Sequence, residues 1–287
     1  MVFSTPTFLF YFLALTLLIY YLVPRKFRNV VILCASLFFY YWGERVYVVI
    51  MFLSTAIDYT HGLLVERCKR RDNDRGARMA VASSIVFNLA LLFFFKYWDF
   101  IAASLQSVGL NFMPVLGIHL PIGISFYTFQ TMSYTIDVYK RRCKVETNPL
   151  HYALFVSFFP TLITGPIERY PQMRPQIQKS RRFSYNRCAG GAFRMLWGYT
   201  KKMVIADNLS QYVSFVYGNM SEMSGPNLFA ATVLFAVQLY MDFSGCCDIV
   251  LGAARILGYD LIENFNSPFE ARSFNDFWRR WHISMTG

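Results

Sequence analysis

The stretch from residue 77 to residue 98 reads ARMAVASSIVFNLALLFFFKYW, and it decides the fold class. A helix needs about 20 mostly apolar residues to cross the hydrocarbon core of a bilayer. This stretch meets that requirement, and similar apolar runs recur along the chain. We predict membrane-embedded segments at residues 7–23, 30–42, 46–65, 77–98, 121–139, 150–164, 187–206, 228–241 and 243–257.

The composition agrees with a protein that lives in the lipid bilayer. Of its 287 residues, 55% are hydrophobic and 18% aromatic, and the mean hydropathy is +0.33. Only 16% are charged, whereas soluble domains carry roughly 25%. We therefore expect an all-α polytopic membrane protein, with residues 1–287 forming one domain of about eight or nine membrane-embedded helices. The cysteines show no spacing typical of a disulfide framework or a metal site.

The positive charge fits membrane topology better than nucleic-acid binding. The formal net charge is +11, but the basic residues cluster in short loops after the segments that end at residues 23, 65 and 139. The alternate loops carry almost none. This asymmetry predicts that the basic loops are cytoplasmic. The first segment has no preceding basic residues and no cleavage site, so we expect it to be retained, with the N-terminus outside.

Three segments depart from regular spans. Residues 150–164 have basic loops on both sides and contain Pro160, which predicts a re-entrant element beside a cytoplasm-facing cavity. The alternative is an ordinary short helix with a basic outer loop. Residues 99–120 are too mixed to span and are expected at the outer surface. The segment at residues 30–42 is short for a span. We expect the chain to continue toward residue 46, with a break in the helix at Gly43.

The most distinctive polar motif is FNDFWRRWHISMTG at residues 274–287. Ser273 followed by Asp276 is typical of a capping box, so we expect a helix to begin here. Helical spacing would give this helix an aromatic face, with Trp278 one turn before His282 and Met285 one turn after it. The residues expected on that face are Phe274, Phe277, Trp278, Trp281, His282 and Met285.

His282 is the strongest candidate for chemistry. Burial on an aromatic face would lower the pKa of its imidazole. A neutral imidazole accepts a proton from a hydroxyl, which acyl transfer to a hydroxyl requires. The alternative is a structural histidine that hydrogen-bonds to a neighbouring element.

Two further groups of polar residues lie inside apolar segments. Gln238, Asp242 and Asp248 would line a tunnel if Gly245 broke the helix and brought the carboxylates together. The alternative is that arginines such as Arg255 pair with them. Gln130 and Asp137 lie on one face of their segment, toward a tunnel or the protein interior; the alternative is hydrogen bonding between helices.

These residues fall into a recognisable order. The stretches LPIGISFYTFQ at 120–130, FFP at 158–160, GPIER at 165–169, QLYMDFSGCCD at 238–248, NFN at 264–266 and FWRRWHIS at 277–284 carry the similarity. Through these stretches taken together, the chain resembles the membrane-bound O-acyltransferase family, in particular its bacterial alginate O-acetyltransferase branch. The similarity covers most of residues 120–286, and the earlier residues match mainly in hydropathy.

The resemblance implies an enzyme of the bacterial inner membrane that uses acetyl-CoA or another cytoplasmic acetyl thioester and holds no tightly bound cofactor or metal. The acceptor would be a hydroxyl of an exported polysaccharide such as alginate, with periplasmic acetyltransferase proteins as partners. It places His282 at a catalytic family position. The residues then expected to line the substrate tunnel are Gln130, Asp137, Gln238, Asp242, Asp248, Trp278, Arg279, Arg280 and Trp281.

The chain also departs from the family pattern. The family carries a second histidine, usually taken as the catalytic one, in a Trp-His context beyond the last residue of this sequence. We therefore expect an N-terminal part of a longer protein. Two other functions stay open: a transporter or flippase, since broken helices with intramembrane carboxylates serve transport too, and an inactive truncated form.

Overall fold

The computed structural model describes residues 3–286 and shows an all-α protein, as predicted. Its helices are α1 (Ala14–Leu22), α2 (Arg28–Glu44), α3 (Val48–Arg70), α4 (Asp74–Ser107), α5 (Ile124–Tyr139), α6 (Pro149–Ser157), α7 (Phe159–Leu162), α8 (Tyr170–Gln178), α9 (Tyr185–Tyr199), α10 (Asp207–Gly218), α11 (Gly225–Leu257), α12 (Phe274–Arg280) and α13 (Ile283–Thr286). Two π-helical stretches, Thr7–Leu13 and Thr200–Ala206, continue into α1 and α10. Within the described residues β-pairing is limited to one isolated bridge, between Phe265 and Trp281.

Three helical stretches are long and apolar enough to cross a bilayer: Arg25–Arg70, Asp74–Ser107 and Gly225–Leu257. The apolar helix Thr7–Leu22 is shorter. The total of eight or nine embedded helices and the single domain remain predictions.

Several predicted boundaries were wrong. Residues 228–241 and 243–257 form one uninterrupted helix, α11, of 33 residues, which is about 50 Å long at 1.5 Å per residue. Gly43 does not break its helix; the break falls at Arg45, whose φ is 35°. Helix α4 continues through Ser107, so the first part of residues 99–120 is helical. The helical run that begins at Tyr185 continues past residue 206 to Gly218.

The backbone packs as two compact units, the first formed by residues 3–25, 164–166 and 180–286 and the second by residues 26–163 and 167–179. In the first unit, α9 packs closely against α11 through facing glycines. A Cβ on Gly198 would lie 2.6 Å from the carbonyl oxygen of Gly245, and a Cβ on Gly252 would lie 2.5 Å from that of Gly191. Small residues at such a crossing let two helix backbones approach each other.

The second unit is built around α3, α4 and α5, which share a buried polar cluster. The carboxylate of Asp58 accepts hydrogen bonds from Ser84 Oγ at 2.6 Å and from Asn88 Nδ2 at 2.8 Å. All three side chains are fully buried. Within residues 150–164, helix α6 ends at Ser157 and the four-residue helix α7 follows. This broken helix fits either interpretation of the segment, so the re-entrant element stays a prediction.

Candidate active site

The start of α12 follows the predicted capping pattern. Ser273 Oγ accepts a hydrogen bond from the backbone N–H of Asp276 at 3.1 Å. The Asp276 carboxylate accepts one from the backbone of Arg272 at 3.2 Å and one from Arg280 Nε at 2.9 Å. These contacts, with the Arg280 hydrogen bond largest, lower the pKa of Asp276. The helix begins at Phe274, as predicted.

The same helix ends sooner than predicted. It stops at Arg280, Trp281 is extended, and His282 adopts a left-handed conformation with φ of 47°. The cause is backbone pairing with residues 264–266. The N–H of Asn266 donates to the carbonyl of Arg280 at 3.0 Å, and the N–H of Ile283 donates to the carbonyl of Asn264 at 3.0 Å. These bonds replace the helical ones that continuation would have formed.

The predicted single aromatic face therefore does not exist. Phe274, Trp278 and Met285 are 76%, 40% and 65% exposed. Trp281 instead turns inward, where its ring lies 5.1 Å from that of Phe265. Arg279 is exposed and Arg280 pairs with Asp276. Of the four tunnel residues predicted in this segment, Trp281 is the one that packs beside the histidine's aromatic neighbours.

His282 is buried, as predicted, but against α11 rather than on its own helix. It is 9% exposed, and its ring centroid lies 5.0 Å from that of Phe243. Burial lowers its pKa below the ordinary value of 6.5, with a partial offset from its own backbone carbonyl. Its Nδ1 is buried and forms no hydrogen bond of normal geometry with any group in residues 3–286. His282 thus has a buried ring nitrogen without a hydrogen bond of normal geometry in the described chain.

A small polar cavity of about 50 Å³ lies beside α11 in the same unit. Asp248 on its wall accepts hydrogen bonds from Arg194 Nη2 at 2.9 Å and Lys201 Nζ at 2.7 Å. Arg194 also forms a double hydrogen bond with Glu263. Tyr240 and Asn264 also line this cavity. The cavity therefore combines balanced charges with hydrogen-bonding groups.

The carboxylates of α11 are not brought together. Since α11 is unbroken at Gly245, Asp242 and Asp248 point in different directions. Asp242 pairs with Lys202 Nζ at 3.0 Å, and Asp248 faces the cavity. The expectation of a break at Gly245 was wrong because that glycine serves the close crossing with α9. Both carboxylates do pair with cations, although with Lys201, Lys202 and Arg194 rather than the suggested Arg255.

The remaining predicted tunnel residues are polar and at least partly buried. Gln238 Oε1 is buried, and no group in residues 3–286 hydrogen-bonds to it. Gln130 and Asp137 lie in the second unit, on α5. Gln130 Nε2 donates to the carbonyl of Phe155 at 2.9 Å, and Asp137 lies 3.6 Å from Arg142 Nη1. Their burial was expected; their place in a tunnel stays a prediction.

Residues 138–286 match the sequence profile of the membrane-bound O-acyltransferase family. The match covers just over half of the chain and includes His282, its pairing partners at 264–266 and the whole polar cavity. The chain belongs to the membrane-bound O-acyltransferase family. It is accordingly a membrane protein, consistent with its long apolar helices.

Several curated proteins are similar to this chain, two of them over its whole length. A probable alginate O-acetylase of Azotobacter vinelandii is 36% identical over 290 aligned residues, which cover 100% of this chain and 57% of that protein. The peptidoglycan O-acetyltransferase of Helicobacter pylori is 32% identical, covering 100% and 60%. The teichoic acid D-alanyltransferase of Bacillus subtilis is 27% identical, covering 71% and 51%. The chain thus spans between half and three fifths of the length of these curated relatives.

Sequence reasoning assigned no site role to four residues that line the polar cavity: Arg194, Lys201, Glu263 and Asn264. Arg194 and Lys201 had a visible signal, because cations inside the apolar segment 187–206 are costly and usually functional or paired. Asn264 begins one of the stretches that carry the family resemblance, but the contacts of Glu263 and Asn264 are visible only in the folded chain. Among residues 3–286, no group of three or more His, Cys, Asp or Glu side chains is placed so that it could hold a metal ion.

Proposed function

We propose that the protein is a membrane O-acetyltransferase, which moves an acetyl group from a cytoplasmic thioester donor such as acetyl-CoA to hydroxyls of an exported polysaccharide such as alginate. The similarity to a probable alginate O-acetylase over the whole chain carries this proposal. The peptidoglycan O-acetyltransferase supports the same reaction on a different polymer. The teichoic acid D-alanyltransferase is a more distant relative and makes a D-alanyl donor the less favoured alternative.

In this proposal His282 acts on the acceptor hydroxyl. Its pKa is lowered by burial, so the imidazole is neutral near pH 7 and can accept a hydrogen bond or a proton. Proton removal raises the nucleophilicity of the oxygen that attacks the thioester carbonyl, and the thiol leaves.

The polar cavity supports a role in holding polar groups; its lining includes Asn264, whose side chain binds the backbone two residues after His282. Its cations, Arg194 and Lys201, are already matched by Asp248 and Glu263. A site with balanced charges favours a neutral, hydrogen-bonding ligand over a phosphate. Hydroxyl and carbonyl groups meet that description, which fits a polysaccharide acceptor and an acyl group better than the phosphates of a coenzyme.

The membrane arrangement completes the proposal. The protein lies in the bacterial inner membrane with several passes, its N-terminus outside and its basic loops in the cytoplasm. Residues 150–164 form a re-entrant element beside a cytoplasm-facing cavity through which the donor approaches. Periplasmic acetyltransferase proteins take part in delivering the acetyl group to the polysaccharide.

The test is acetyl transfer by inner membranes that contain the whole protein. Membranes with and without the protein are incubated with [¹⁴C]acetyl-CoA and alginate, and parallel samples receive peptidoglycan or a D-alanyl thioester. We expect protein-dependent label in polysaccharide or in a co-expressed periplasmic partner. No protein-dependent transfer from the acetyl donor would refute the proposal, and transfer of D-alanine alone would replace it with the alternative.

A further inference from the structure

We propose that Asn264 is a positioning residue that holds His282 in its left-handed backbone conformation and thereby presents the imidazole to the reacting hydroxyl. The inference rests on the proposed function of His282. Asn264 lines the polar cavity, but its side-chain amide is engaged with the backbone N–H of Ser284 and with Cys247 Sγ. Its role would be exerted through the backbone on the C-terminal side of the histidine.

Asn264 captures two consecutive backbone amides after His282. Its carbonyl accepts from the N–H of Ile283 at 3.0 Å, and its side-chain Oδ1 accepts from the N–H of Ser284 at 3.1 Å. Its Nδ2 lies 3.8 Å from Cys247 Sγ on α11. The residue is 1% exposed. One side chain therefore links the segment after His282 to the helix that carries the polar cavity.

The segment before His282 is held by the next residues of the same loop. The Phe265–Trp281 bridge and the hydrogen bond from Asn266 to Arg280 fix the backbone there. His282 thus lies between two sets of hydrogen bonds, and its φ of 47° is unusual for a residue with a β-carbon. Sparsely populated conformations persist where the surroundings over-determine them, and they cluster at active sites.

Asparagine suits this position because it offers an acceptor and a donor on one short side chain. Leucine has a similar volume but would remove the Oδ1 acceptor of the Ser284 amide. Aspartate keeps the acceptor and loses the donor toward Cys247. The pair of variants Asn264→Leu and Asn264→Asp therefore separates the amide contact from simple packing.

The test measures acetyl transfer by the whole protein together with chemical access to His282. A displacement of about 1 Å costs up to roughly 100-fold in rate, so Asn264→Leu should lower kcat by about 10- to 100-fold with little change in KM for acetyl-CoA. Asn264→Asp should retain more activity. Diethyl pyrocarbonate should modify His282 faster in Asn264→Leu, as followed by mass spectrometry, because the loosened segment admits water and reagent.

A matched control is Asn219→Ala, since the Asn219 side chain donates only to its own helix, to the carbonyl of Phe215 at 2.8 Å. It should change neither kcat nor the modification rate. Unchanged kcat and unchanged labelling in Asn264→Leu would overturn the proposal, and so would a loss of thermal stability with His282 labelling unchanged below the melting transition. If the wild type transferred no acetyl group while Asn264→Leu still exposed His282, the proposed function would fail and the positioning role would stand.

Discussion

Removal of the Asp248 carboxylate should destabilise the first unit more than removal of any exposed acid. Asp248 holds Lys201 and Arg194, whose side chains are 14% and 25% exposed. In Asp248→Asn, Arg194 keeps its contact with Glu263. Lys201 loses the carboxylate at 2.7 Å and becomes a largely buried cation that faces a neutral amide.

The size of the effect follows from that distance and burial. Opposite unit charges 2.7 Å apart attract by about 6 kcal/mol at an effective dielectric constant of 20. Desolvation of both ions offsets part of this attraction. Breaking a buried pair by removing one partner typically costs about 3–5 kcal/mol. Because the pair is slightly exposed, we expect a cost at the lower end, about 3 kcal/mol.

The control is Asp207→Asn, which removes one of two carboxylates from Lys202. Asp207 is 49% exposed, and Lys202 keeps Asp242 at 3.0 Å, so the expected loss is below about 1 kcal/mol. Unfolding of both variants in detergent is followed by fluorescence-detected size exclusion after heating and by denaturant titration. Adding Lys201→Met to Asp248→Asn should recover part of the loss. Equal stability of the two single variants, or no recovery in the double variant, would refute this reasoning.

Three other predictions concern the helix crossing, the α12 cap and pH. Gly252→Ala should lower the free energy of unfolding by about 1–3 kcal/mol, because its Cβ would lie 2.5 Å from the Gly191 carbonyl oxygen. Gly218→Ala is the control, since a Cβ there has nothing within 4 Å. Thermal unfolding compares the two variants, and equal stability would contradict the prediction. Ser273→Ala should lower stability by about 1 kcal/mol while Ser273→Asp should not, in the same assay. Since burial lowers the pKa of His282 below 6.5, the unfolded chain binds a proton more readily than the folded one, and stability should fall as pH drops below 6.5 toward the lowered pKa. The denaturant midpoint of His282→Gln should show a weaker fall over that range, and identical slopes would argue against burial of the neutral form.

The helices could be predicted from hydropathy, but their ends could not. A polar residue such as Asp242 interrupts an apolar run in the sequence. It does not break the helix, because Lys202 pairs with it. For this reason α11 appeared as two spans in the sequence. The glycines of α11 had the opposite effect: Gly245 suggested a break, whereas the crossing with α9 uses its missing side chain.

In the candidate site, features set by neighbouring residues could be predicted from the sequence, and features set by distant residues could not. The cap at Ser273 is local, and it was predicted correctly. The end of α12 at Arg280 depends on residues 264–266, which pair with it from an earlier loop. Helical periodicity carries no information on such pairing. The burial of His282 was therefore predicted correctly, while the partners that bury it were not.

The proposed part of His282 in acyl transfer is tested most sharply by the acetyl-transfer rate of His282→Gln in membranes that contain the whole protein. His61→Gln is the matched control, because His61 contacts Ile57 and Ser83 in the second unit. A general base contributes typically 10²–10⁴-fold. We predict that His282→Gln lowers kcat by at least about 100-fold at unchanged protein level, while His61→Gln keeps the wild-type rate. A wild-type rate in His282→Gln would contradict the account.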